Sequence, residues 1–244
     1  WFEARGVPAT FVGHPAVGAL DDAEPGPSPA SPWPEPGGTA AETGDGSGLG
    51  VGGGLKLALL PGSRAAEVAK NLGVMVRAMS VAAAHQPRDA PRPTVIVAAS
   101  DEARAAQARE LEPTFFADDR DALTVGRTFE VLRRADAALV VSGTVTLETS
   151  LRRVPMVVLY RMSWWVWNLA GRFIVRTRTF TLPNLISEHL GLGRAVREFI
   201  PNFGDAEHMG RELARVMHDE TERDRQGAAF DAIRAAMSAA RFET

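Results

Sequence analysis

Three runs of this chain, Lys56–Leu60, Thr94–Ala99 and Ala137–Val141, are apolar at nearly every position rather than at every second one. A strand with one wet face alternates. A strand covered on both faces does not, and such strands belong to parallel sheets with helices packed on either side. The intervening segments carry apolar residues at three- and four-residue spacing, as in Val68, Leu72, Met75, Met79 and Ala82, the stripe of a core-facing helix. The order of elements reads as strand 55–60, helix 64–84, strand 94–99, helix 101–110, short strand 114–117, helix 127–134, strand 137–141, helix 144–152 and strand 156–160. This alternation predicts an α/β domain with a Rossmann-like parallel sheet and helices on both faces. Two closing helices, about 205–218 and 220–241, follow from the spacing of Met209, Leu213, Val216 and Met217, then of Phe230, Ile233 and Met237.

Composition sets the limits of that domain. Segment Asp21–Gly54 holds six Pro and ten Gly in 34 positions with almost no large apolar side chain, well above the Pro-plus-Gly level, roughly 25–30%, at which disorder is expected. It reads as a disordered linker that cannot bury enough surface to offset its ordering entropy. Residues 1–20, with one short strand over Val7–Pro15, read as the end of a preceding domain, and 55–241 as the compact one. A net charge of −3 and a pI near 6.0 argue against a nucleic-acid binder with a broad cationic surface. The absence of Cys excludes disulfides and thiolate chemistry and, with no apolar run near 20 residues, points to the cytoplasm. The chain starts at Trp1 without a signal-like stretch, so it reads as a piece of a longer, non-exported protein.

The chemistry concentrates where two apolar strands turn into helices. Leu57–Arg64 ends in Pro-Gly-Ser-Arg and Ala138–Thr144 in Ser-Gly-Thr. Each junction delivers a helix N-terminus, where unpaired N–H groups and the peptide dipoles favour an anion. At the first, Gly62 allows close backbone approach, Ser63 is a candidate cap, and Arg64 suits bidentate phosphate contact; the alternative is a well-capped turn with a solvent-facing Arg, and Glu67 can simply pair with Arg64. At the second, Ser142, Gly143 and Thr144 present the helix end. Glu148, one turn on, can accept both hydroxyls of a ribose or merely complement the dipole. Open α/β sheets bind ligands outside the carboxyl ends of their strands, so both junctions should share one crevice and take a nucleotide diphosphate.

Three further features are weaker. Thr181–Ile186 places Asn184 in a turn whose amide could reach that crevice, although Pro-Asn turns are ordinary. Asp119-Arg-Asp121 resembles an Asp-x-Asp metal site but lies in a charged loop, and the five His show no paired ligand spacing, so no metal is expected. Segment Ser163–Arg176 is apolar apart from Asn168, Arg172 and Arg176 and carries Trp164, Trp165 and Trp167. It is too short to span a bilayer; it either packs on another domain or lies in a membrane interface.

The ordered series Thr10–Pro15, Leu57–Arg64 with Glu67, Ala135–Glu148, Val154–Arg161 and Leu182–Leu185 resembles the C-terminal half of the lipid-A-disaccharide synthases, bacterial glycosyltransferases of the GT-B type. The resemblance implies one half of a GT-B fold, the half that binds the UDP-sugar. It implies transfer of 2,3-diacylglucosamine from its UDP derivative to 2,3-diacylglucosamine 1-phosphate, releasing UDP, with inversion and without a metal or other cofactor. By position, Gly62, Ser63 and Arg64 would meet the donor diphosphate, with Arg64 stabilising the leaving group. Ser142, Gly143 and Thr144 would supply the second helix end, Glu148 would hold the ribose, and Asn184 would belong to the donor pocket. The catalytic base is expected in the N-terminal half. The implied location is the Gram-negative cytoplasm, peripheral to the inner membrane through Trp164–Arg176, and a homo-oligomer is allowed. The long linker and short leading fragment leave a second reading open, a catalytically inactive nucleotide-sugar-binding module.

Overall fold

The computed structural model describes residues 54–117, 123–161 and 179–239. The leading fragment 1–20, the Pro/Gly-rich stretch up to residue 53, the Asp119-Arg-Asp121 loop and the Trp164–Arg176 segment lie outside the described residues.

Six strands, β1 (Lys56–Leu60), β2 (Thr94–Ala99), β3 (Leu123–Val125), β4 (Ala137–Val141), β5 (Met156–Arg161) and β6 (Arg197–Asn202), form one sheet. Its order is β3-β2-β1-β4-β5-β6, with every neighbour parallel. The non-alternating runs are explained by what covers them. Leu57, Leu59, Leu139, Val141, Val157 and Leu159 face one layer of helices; Ala58, Leu60, Ala138, Val140, Met156 and Val158 face the other. The first layer contains α1 (Ala65–Ala84), α2 (Glu102–Leu111) and α7 (Ala206–His218). The second contains α4 (Thr128–Arg134), α5 (Thr144–Leu151), α6 (Leu182–His189) and α8 (Glu220–Ala239). The chain winds outward from β1 to β3, then returns to β4 beside β1. That reversal is the topological switch point of a doubly wound sheet.

Buried polar groups tie the layers to the sheet. Asn71, on α1 and essentially inaccessible, donates to the Glu67 carbonyl at 2.8 Å and accepts the Arg161 N–H at 3.1 Å, pinning the start of α1 to the end of β5. Gln226 of α8 accepts the Met156 N–H at 2.9 Å and donates to Glu222 at 3.0 Å. Burial raises the Glu222 pKa, but hydrogen bonds from Arg225 and Gln226 and the charge of Arg215 outweigh it, so the carboxyl lies below its ordinary value. On α7, Gly210 lets two helix backbones meet: a Cβ there would stand 2.5 Å from Val81 Cβ and 2.6 Å from the Ala78 carbonyl oxygen of α1.

Two expectations are corrected, and one strand is found that the sequence pattern did not predict. Residues 114–117 are not a strand but part of a short helix, α3 (Pro113–Ala117), with Phe116 buried and Phe115 edge-on to it. Proline at the first helical position and a short apolar run fit a helix as well as a strand. The strand at that edge of the sheet is β3, ten residues on. At the other edge β6, with its charges and Pro201, escapes the apolar-strand pattern because an edge strand needs neither full burial nor every N–H. Asn184 sits on α6 rather than in a turn. Leu182, Leu185, Leu190 and Leu192, on and just after α6, are exposed. Among the described residues no helix is long and apolar enough to cross a membrane.

Candidate functional site

The two strand-to-helix junctions open onto one cleft of about 470 Å³ at the carboxyl ends of β1 and β4. Gly62, Ser63 and Arg64 line one wall, and Ser142, Gly143, Thr144 and Glu148 the other. Because β1 and β4 are neighbours, the helices that follow them start side by side although their junctions are about 80 residues apart in sequence. Arg64 and Thr144 therefore share a cavity. A hollow of similar size, about 530 Å³, lies at the amino end of β2 against α1, lined by Met79, Arg92, Val95 and Phe115; it is at the opposite end of the strands from either junction.

The wall built by α1 is preorganised by its own acid. Gly62 has φ +110°, the left-handed region that favours glycine. A Cβ on it would lie 2.6 Å from Glu67 Oε2 and 2.7 Å from Glu67 Cβ. The space thus left lets Glu67 fold back: its Oε2 accepts the N–H groups of Ser63 (3.1 Å) and Arg64 (3.2 Å), and its Oε1 accepts from Arg64 Nη1 at 3.0 Å. Glu67 rather than Ser63 does the capping here, and Arg64 itself occupies the position before the helix. The Glu67 side chain is 16% exposed and that of Arg64 82%, so the acid is fixed and the guanidinium stands in the cleft.

The wall built by α5 is bare. Gly143 precedes the helix with no side-chain cap, and its φ of 169° is ordinary extended backbone. Thr146 turns inward, its hydroxyl donating to the Gly143 carbonyl at 2.7 Å. Nothing among the described residues accepts from the N–H groups of Thr144 and Val145, so the positive end of the helix faces the cavity. Glu148 is half-buried on the same wall. Its neighbour Arg152 is held elsewhere: it donates to the Glu148 carbonyl at 3.1 Å and stacks 4.0 Å over Phe129. Burial pushes that guanidinium below its ordinary value, with the Glu148 charge opposing and the Arg133 charge adding to the shift.

Asn184 does not join them. Its side chain is fully buried, and its amide exchanges two hydrogen bonds with the Val196 backbone, donating at 3.0 Å and accepting at 2.8 Å. It splices α6 to the residues leading into β6, is sealed from solvent, and does not line the cleft. Two residues not singled out in the sequence do line the cavity, Ser100 after β2 and Thr128 at the start of α4. The Ser100 hydroxyl reaches the Ser63 carbonyl at 3.4 Å and Asp101 at 3.0 Å. The signal was available, since every strand of a parallel sheet delivers its following residues to the same edge. Among the described residues no group of three or more acids or histidines is placed to hold a metal ion.

Residues 54–243 match the family described as lipid-A-disaccharide synthetase. The chain is 34% identical over 241 residues to the lipid-A-disaccharide synthase of Anaeromyxobacter dehalogenans, covering 97% of this chain and 55% of that protein. It is 34% identical over 238 residues to the enzyme of the same name from Azotobacter vinelandii, covering 96% and 54%. The chain thus spans about half the length of the curated relatives it matches. Among solved structures, a spinosyn rhamnosyltransferase complexed with thymidine diphosphate aligns with 14% identity and a TM-score of 0.46, over 91% of this chain and 51% of that one.

Proposed function

This chain belongs to the lipid-A-disaccharide synthetase family, and we propose on that premise that it is the nucleotide-sugar half of a GT-B glycosyltransferase of lipid A biosynthesis. The reaction joins 2,3-diacylglucosamine, delivered as its UDP derivative, to 2,3-diacylglucosamine 1-phosphate with inversion at the sugar carbon. The acceptor hydroxyl attacks C1, the bond from C1 to the diphosphate oxygen breaks, and UDP leaves with the electron pair. The hydroxyl proton goes to a base that we assign to no residue of this cleft and expect from the half of the relatives that this chain does not span.

One observation carries the reading: an open helix end, an exposed guanidinium tethered only by a surface ion pair, and a carboxylate meet in a single cavity at the switch point. Negative charge grows on the leaving diphosphate as the glycosidic bond breaks, and fixed donors aimed at it lower the barrier without reorganising. The α5 terminus and Arg64 supply that positive charge, which is why the proposal needs no metal. Glu148 suits the two ribose hydroxyls. The substrates are acylated, so we place the enzyme at the cytoplasmic membrane surface; the exposed Leu182, Leu185, Leu190 and Leu192 support that placement.

Calorimetric titration of the chain with UDP and with uridine tests the site. UDP should saturate it and bind at least tenfold more tightly than uridine, since a charge-assisted hydrogen bond alone contributes about 1.5–3 kcal/mol. Equal binding of the two would leave the diphosphate without a site here.

A further inference from the structure

Glu67 holds the guanidinium that the proposed donor site requires. Its Oε1 faces Arg64 Nη1 at 3.0 Å, while its Oε2 receives both backbone N–H groups of the turn. The side chain cannot leave cheaply, because it is largely covered and its departure would strip two N–H groups of their acceptor. Arg64 can leave, because it is exposed and an exposed ion pair contributes little. Resting on the nucleotide reading above, we propose that Glu67 is a positioning residue that stores Arg64 in the empty cleft, yields it to the donor diphosphate, and takes it back when UDP departs. The acid stays in place throughout. The open N–H groups of α5 hold the diphosphate on their side of the cavity, so Arg64 crosses to the ligand rather than the ligand to α1.

The two oxygens separate the roles. In Glu67→Gln the carbonyl oxygen can occupy the Oε2 position and keep both backbone N–H groups, while the NH2 replaces Oε1 and offers Arg64 no acceptor. The turn is kept and the guanidinium is released. UDP should then bind about two- to fivefold more tightly, the equilibrium expression of losing one exposed ion pair, with uridine unchanged. In an Arg64→Ala background the same substitution should shift UDP binding by less than twofold. A second measurement uses the wild-type protein: amide exchange at Ser63 and Arg64, followed by NMR, should stay as protected with saturating UDP as without it. Weaker UDP binding by a folded Glu67→Gln, a gain that persists without Arg64, or amides that lose protection on binding would each overturn the handover alone. A wild-type chain that binds no UDP would overturn the nucleotide reading and the handover with it.

Discussion

The helices α1 and α5 enter the same cleft from adjacent strands, and both follow an apolar strand with a small-residue turn, yet they end in opposite states. At α1 the turn bends through a glycine at φ +110°, and an acid of the helix's own first turn accepts three hydrogen bonds there. At α5 the preceding glycine is extended, no side chain among the described residues caps the end, and its hydroxyl neighbour Thr146 bonds backward. A helix N-terminus attracts anions in either case. At α1 the anion is covalently part of the protein, and what the wall offers a ligand is a side chain, Arg64. At α5 what is offered is the terminus itself. The two junctions are therefore complementary rather than duplicate, one delivering a movable cation and the other fixed N–H groups and a dipole.

The sharpest way to break that comparison is Gly62→Ala. It forces an L side chain into the left-handed region and drives its Cβ to within 2.7 Å of Glu67. Strain and crowding together should cost about 3 kcal/mol, a fall of about 6–12 °C in Tm for a domain of this size. Chemical denaturation checks it. A stability loss under 1 kcal/mol would mean that the fold-back of Glu67 does not depend on the missing side chain.

Next in size is Arg64→Ala. A charged hydrogen bond to the diphosphate is worth about 1.5–3 kcal/mol, less the 0.2–1 kcal/mol of exposed pairing with Glu67 given up to make it. UDP affinity should therefore drop by about 0.5–2.8 kcal/mol. Stability should hold, since the side chain is 82% exposed. If calorimetry finds UDP unaffected, α1 contributes no cation and only the bare wall functions.

Much of this was legible in the sequence, for identifiable reasons. The doubly covered strands announce themselves because burial on both faces removes alternation, and Lys56–Leu60 and Ala137–Val141 are found within a residue of where they were expected. The convergence of Arg64 with Thr144 follows from winding order alone. What was not legible depends on tertiary partners. No local pattern tells that Asn184 will spend its amide on the Val196 backbone rather than on a ligand. The Glu67 spacing to Arg64 suggested a side-chain pair, while the more consequential bonds run from Glu67 to the N–H groups of the turn, which only the φ of Gly62 makes possible. Edge strand β6, half exposed, has no hydrophobic signature to read.

Smaller effects sharpen the α5 side. Glu148→Gln keeps an acceptor but removes the charge that strengthens hydrogen bonds from ribose hydroxyls. It should weaken UDP by about 1 kcal/mol and 2′-deoxy-UDP by roughly half as much. Equal losses for the two nucleotides would deny Glu148 the 2′-hydroxyl, and equal gains would assign it to the helix dipole.

The smallest change in stability is expected at the other glycine. Around Gly143 an added Cβ meets nothing within 4 Å, and its backbone is extended, so Ala fits without strain. Ala is a poorer residue than Gly before a helix, by about 0.5–1 kcal/mol, but it also lowers the entropy of the unfolded chain by about 0.4–1 kcal/mol. The two nearly cancel, and Gly143→Ala should melt within about 0.5 kcal/mol of the wild type. UDP binding should nonetheless weaken, because the methyl group enters the space beside the open N–H groups of Thr144 and Val145. The same substitution thus separates the junctions by readout: stability without direct ligand contact at Gly62, ligand without stability at Gly143. Should Gly143→Ala bind UDP as the wild type does, the α5 end is not where the diphosphate rests, and Arg64 must be holding it against the wall that Glu67 already occupies.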